Sequence, residues 1–206
     1  MMGEKNYSGT IPDQEDGSKI NVESNIDLKD VELAKSIFDI AKSRLIDVNN
    51  WQNLAGKFLA AFQLTDSSGN PTDSPVQEGM YFRIDIPGPG SKAGDGYDWV
   101  KVEKIDFYRS ENIESIGIRV RPAANPSSSN ENVAHFYSQE ATSTFTVTRE
   151  LTKITAAVYD RNTKTNQDTN QLSDQLRNAI VGMSGIISFS RIQWKSLTDA
   201  IIKQAD

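Results

Sequence analysis

The chain has 206 residues, enough for one large domain with a substantial core. It carries no cysteine and one histidine, which excludes disulfides, thiolate metal sites, cysteine nucleophiles and multi-histidine zinc or iron centres. A formal net charge of −6 supplies no basic footprint, so nucleic acid is not an expected partner.

The opening MMGEKNYSGTIPDQEDGSK has no apolar stretch, and no run of about 18 apolar residues occurs anywhere. Neither a secretory signal nor a membrane span is expected, and the chain reads as cytoplasmic. Residues 1–17 are polar and lack periodicity, which predicts a flexible tail before a single domain over 18–206. Ile20 and Val22 alternate with polar neighbours, the pattern of a short first strand.

A helix is expected from Asp27, read as its N-cap, to about Asn49. Ala34, Ile37, Phe38, Ala41, Leu45 and Val48 fall on one face at i, i+3, i+4 spacing. Trp51 and Leu54 extend that face into a second short turn, and Gly56 is its stop. From Lys57 the period changes to two. Lys57–Thr65 reads as a strand, and Met80–Ile86 as another with Phe82, Ile84 and Ile86 on one side. Trp99–Arg109 alternates until Glu103–Lys104, where the register shift predicts a β-bulge. Ile116, Ile118 and Val120 form the next inward row. PAANPSSSNENV is a loop by composition, Ala134–Arg149 a long strand rich in Thr and Val, and Ile154, Ala156 and Val158 the row of a last strand. After the polar DRNTKTNQDTN, a helical face of Leu172, Leu176, Ile180 and Met183 is interrupted by Gly182 and Gly185. A final helix capped by Ser190 carries Trp194, Leu197 and Ile201.

The expected class is α+β, with a curved antiparallel sheet of about six or seven strands packed against N-terminal and C-terminal helices, because only the helical ends can cover the sheet. This order over roughly 18–206, with DVNNWQNLAG (Asp47 to Gly56) ending the helical pair before the second strand, resembles the helix-grip superfamily of START and polyketide-cyclase-like (Bet v 1-like, SRPBCC) domains. The resemblance implies a ligand cavity between sheet and C-terminal helix. A C-terminus split at Gly185 departs from the single long helix of that pattern. The pattern is also similar to that of bacterial proteins with no assigned activity.

Several residues bear on chemistry. In IDIPGPGSKAGDGYDW, Gly88, Gly90 and Gly94 give GxGxxxG with no GK[ST], and a strand rather than a helix follows, so the loop is no phosphate cradle. It reads as a structured hairpin loop, or as a gate in which Tyr97 and Trp99 flank a ligand entrance. Asp160–Gln171 has oxygen-bearing side chains at alternate positions but lacks the glycine and glutamate of a calcium loop, so no metal is expected. His135 is a structural histidine or, with Asp98 or Asp85, a general base for a cyclase-like or hydratase-like enzyme. Arg119 and Arg121 share a strand face and form either an anion clamp or outward, acid-paired residues. Trp194 on the last helix is a ligand contact or core.

No cofactor motif is present. By analogy of architecture, a binding module for a small apolar or amphipathic ligand is favoured over the enzyme, with Tyr97, Trp99, Arg119, Arg121, His135 and Trp194 as its contacts. A homo-oligomeric interaction protein joined through a sheet edge is the third reading.

Overall fold

The structure, a computed structural model, describes residues 5–56, 60–86, 91, 93–166 and 182–204, the side chains of 182–186 excepted. Seven antiparallel strands form one sheet: β1 (Ser18–Asp27), β2 (Ala61–Thr65), β3 (Tyr81–Asp85), β4 (Asp98–Arg109), β5 (Ile113–Pro122), β6 (Thr142–Glu150) and β7 (Lys153–Thr163). Their spatial order is β1-β7-β6-β5-β4-β3-β2, so the first strand pairs with the last. Helices α1 (Val31–Ile46), α2 (Trp51–Ala55) and α3 (Gly182–Ile202) lie on its inward face, with a 3-10 turn (Val48–Asn50) between the first two. This is a helix-grip layout. Among the described residues no helix is long and apolar enough to cross a membrane.

The period-two rows converge on one face. Ile154, Ala156 and Val158 of β7, Phe145 and Val147 of β6, Ile116, Ile118 and Val120 of β5, and Val100 and Val102 of β4 share one core with Phe62, Leu64, Phe82 and Ile84 of β2 and β3. Ala34, Phe38, Ala41 and Leu45 of α1 pack onto that surface, and Leu197, Ile201 and Ile202 of α3 complete it. The β4–β5 register shifts between Val102 and Lys104, so Glu103 is the extra residue of the expected bulge.

Trp51 sits at the centre, 1% exposed. Its ring meets Phe62, Phe82 and Phe145 at centroid distances of 5.3, 5.7 and 4.8 Å, and its indole N–H donates to the carbonyls of Arg44 and Leu45. Each contact is within the range where aromatic pairs add to simple burial. Gly56 ends α2 at φ +122°, a conformation open to glycine and costly for other residues. Arg44, in the last turn of α1, donates to the carbonyls of Ala200, Ile201 and Lys203 and thereby caps the C-terminus of α3 with a cation.

Four expectations change. The cap of α1 is Asp30, whose carboxylate accepts from Leu33 N at 2.8 Å; Asp27 belongs to β1. The sixth strand begins at Thr142 instead of Ala134. Residues 134–138 make separate backbone bonds to Trp99, Ala123 and Lys164, and a turn closed from Ala141 N to Ser138 O precedes β6. The last helix begins by Gly182 and runs through Gly185, with Ser190 buried in its interior, where tertiary packing overrides the low helix propensity of glycine and serine. The face of Leu172, Leu176 and Ile180 lies outside the described residues.

The fourth change concerns residues 5–17, which are laid as a strap over the outward face of the sheet. Thr10 is fully buried and Ile11 packs with Ala157 and Tyr159. Thr144 Oγ1 donates to Thr10 O, Lys104 Nζ to Gly9 O and Tyr7 Oη to Glu150, while Tyr7 stacks on Tyr108. A polar segment stays seated because its neighbours are also polar: Ser115, Thr144, Thr146, Thr148 and Thr155 occupy the outward rows. Composition alone sees only the strap's lack of an apolar row.

Candidate functional site

Between the β2–β6 region of the sheet, the 135–137 segment and α3 lies a cavity of about 50 Å³. A single water needs roughly 10–15 Å³ of such space, so this is room for a few waters or one small group. Its walls are largely aromatic. Phe62, Phe82 and Phe145 rise from the sheet, Phe189 and Trp194 descend from α3, and Phe136 closes one side. The Phe145–Trp194 and Phe62–Trp194 ring pairs, at 5.2 and 6.4 Å, are what keep it narrow.

The side wall is clamped through its backbone. Trp99 N donates to Ala134 O, Phe136 N to the Asp98 carboxylate at 3.3 Å, and Asn166 Nδ2 to the carbonyls of Val133 and His135. Asn166 N in turn donates to Phe136 O. His135 contributes from within: its Nδ1 accepts from Tyr137 N at 2.9 Å, so the ring is neutral and its proton is on Nε2. Burial drives the His135 pKa down to about 3. Burial likewise pushes Asp98 up to about 7, with the Phe136 N–H drawing it back.

One end of the cavity is polar. Ser143, Tyr137 and Ser190 line it, with the Tyr137 and Ser190 hydroxyls 3.4 Å apart. Gln193 accepts Ala60 N, which ties α3 to the start of β2. Behind this end lies Asp160, fully buried on the inward face of β7 opposite Ser143. Trp194 Nε1 donates to its Oδ2 at 2.9 Å. Its Oδ1 has no hydrogen-bond partner among the described residues; the Ser143 hydroxyl stands near enough to ease the carboxyl without closing a bond. Burial raises Asp160 to about 6, moderated by Ser143, Trp194 and Arg161. Burial and the nearby Asp160 charge raise Tyr137 above the ordinary phenol value.

The expected site residues divide. His135 and Trp194 line the cavity. Asp98 stands just behind it, holding Phe136 and making no bond to His135 among those described. Asp85 is exposed at the end of β3. Trp99 is buried outside the cavity, its indole donating to Gly94 O; a Cβ on Gly94 would stand 1.9 Å from Tyr97 O, which explains the glycine. Tyr97 packs under the Arg83 guanidinium at 4.6 Å, also away from the cavity. Residues 87–90 and 92 of that loop lie outside the described residues. Arg119 and Arg121 both pair with Glu103 on the outward face, the acid-paired alternative, and lie outside the cavity too. Among the described residues no group of three or more metal-ligating acids or histidines exists; of the segment from Asp160, residues 160–163 are strand.

The polar end is where sequence reading was blind. Asp160 fell at the head of a turn-prone linker, yet extending the 154, 156, 158 row by one step places it inward. Tyr137 and Ser143 carried no such signal, because the turn at 138–141 that brings them together has no distinctive composition.

No protein-family model matches the chain, and no curated protein matches it in sequence. Several solved structures are similar in shape. A hypothetical protein, jhp0584, of Helicobacter pylori shares 12% identity at a TM-score of 0.43, over 87% of this chain and 86% of that one. The major latex-like protein 151 of Panax ginseng shares 12% at 0.39, over 90% and 97%. A truncated norcoclaurine synthase of Thalictrum flavum shares 9% at 0.37, over 93% and 96%. Likeness at this level carries no functional argument, and the helix-grip layout rests on the chain's own topology.

Proposed function

We propose that the protein holds a small apolar or amphipathic molecule between its sheet and α3. The observation that supports this is the cavity itself: aromatic walls, a clamped side and a few polar groups among them, which is the general character of small-molecule sites. A purely structural core has no need to collect Tyr137, Ser143 and Ser190 beside an otherwise aromatic interior. The cavity as it stands admits only a small group, so a larger occupant would enter by parting Trp194 from Phe145 and Phe62. His135 and Asp98 serve here as supports of the wall, since each uses its acceptor on a backbone N–H of the 136–137 pair.

The test is native mass spectrometry of protein purified from its source, compared with the same sample denatured. A bound small molecule lost on denaturation is the expected result. A clean apo mass, together with no shift in melting temperature across a panel of neutral aromatic compounds, overturns the reading.

A further inference from the structure

The polar end of the cavity also carries information about what kind of head group it would accept. Resting on the binding reading above, we infer that the occupant presents a hydrogen-bond-donating, preferably cationic amine to the Asp160 end of the cavity, and that carboxylates are rejected there.

The inference stands on the geometry of donors and charges. Asp160 is fully buried, and one of its two carboxylate oxygens has a donor, Trp194 Nε1, while the other has none among the described residues. A buried acceptor left open is costly, and a charged one more so, which makes an arriving N–H the natural complement. Asp160 does not itself line the cavity, but Ser143 opposite it, Trp194 bonded to it and Tyr137, whose phenol feels its charge, all do, so a head group seated among them meets that charge through this wall. No lysine or arginine is among the described lining residues. The adjacent cation, Arg161, has its guanidinium engaged by Ile20 O, Asn21 Oδ1 and Asp160 O and packed on the Tyr159 ring. His135, the other basic group in the wall, is neutral. The site therefore offers negative charge and hydroxyls but no cation, and an amine with an aromatic or aliphatic body fits both its ends. An ionised head group is favoured further because charge-assisted hydrogen bonds are roughly twice as strong as neutral ones. At neutral pH Asp160, raised to about 6, is mostly ionised.

The experiment compares three probes of one size and three head groups, benzylamine, benzyl alcohol and benzoate, titrated into the full-length protein at pH 7.5 by calorimetry and tryptophan fluorescence. The expected order is benzylamine, then benzyl alcohol, then benzoate, with about tenfold or more between the first and the last. In Asp160→Asn, benzylamine should fall to the affinity of benzyl alcohol while the alcohol changes little. Trp194→Phe removes the Oδ2 donor and should widen the amine's advantage over the alcohol; it serves also if Asp160→Asn does not fold. Benzoate binding as tightly as benzylamine to the wild type overturns the head-group inference and leaves the binding reading standing. A folded Asp160→Asn that keeps its amine preference overturns the role of Asp160. Failure of all three probes, the neutral alcohol included, overturns the inference together with the reading on which it rests.

Discussion

Two buried groups, His135 in the wall of the cavity and Asp98 behind it, give stability opposite dependences on pH. The Asp98 carboxyl is raised to about 7 by burial, so the folded chain binds its proton more tightly than the unfolded chain does. Its contribution is therefore complete below about pH 3.8 and is lost as the pH rises through about 7. His135, lowered to about 3, runs the other way: its contribution is complete above about 6.5 and is lost as the pH falls toward 3. Asp98→Asn keeps an oxygen for Phe136 N–H and removes the charge. The variant should be more stable than wild type at pH 8 by about 2–4 kcal/mol, at roughly 1.4 kcal/mol per pKa unit, and the gap should close below about pH 4. Urea midpoints across that range check this, and the difference between the two proteins cancels the His135 contribution. Parallel pH profiles would show that Asp98 is not held in a desolvated site.

At the scale of elements, Gly117 on β5 decides whether the strap can seat. A Cβ there would stand 2.1 Å from Thr10 Oγ1 and 2.7 Å from Ser8 Oγ, so only glycine allows the strap to lie flat on the outward rows. Gly117→Ala should lift residues 5–12, speeding amide exchange at Ile11 and exposing the strap to protease, with a cost of about 1–3 kcal/mol. Unchanged exchange at Ile11 would mean that the strap accommodates the methyl group by sliding. The inward strand rows and the first helix were legible in the sequence because burial on one face writes itself as periodicity: 82, 84; 116, 118, 120; 154, 156, 158. The strap was not, since polar residues that hydrogen-bond to a polar sheet face look like residues that bond to water. The break expected at Gly185 failed for a related reason. Helix propensity there is outweighed by contacts that the downstream residues of α3 make with β1 and β7, and those are non-local. The site was half legible: His135 and Trp194 could be named, whereas Asp160 belonged to a row that had to be followed one residue past where it ceased to look apolar.

At the scale of the whole molecule, α3 completes the core by packing against β1 and β7, the strands first and last in sequence, which pair at one edge of the sheet. Trp194, Leu197, Ile201 and Ile202 pack into the apolar core of the sheet, and Arg44 of α1 holds the far end of the helix. A chain ending at residue 181 should therefore expose an aromatic face, bind hydrophobic dyes and lose soluble yield, measured against the full chain expressed in parallel; a soluble, monomeric truncation would show that the sheet and α1 suffice. The same arrangement has a consequence for biogenesis. On a ribosome the strands emerge before the helix that shelters them, and β1 must wait for β7, more than a hundred residues later, to find its neighbour. Throughout translation the nascent protein carries a half-covered apolar sheet with an unpaired first strand. Its yield in the cell should thus depend on elongation speed and on holdase chaperones more steeply than the stability of the finished fold would suggest.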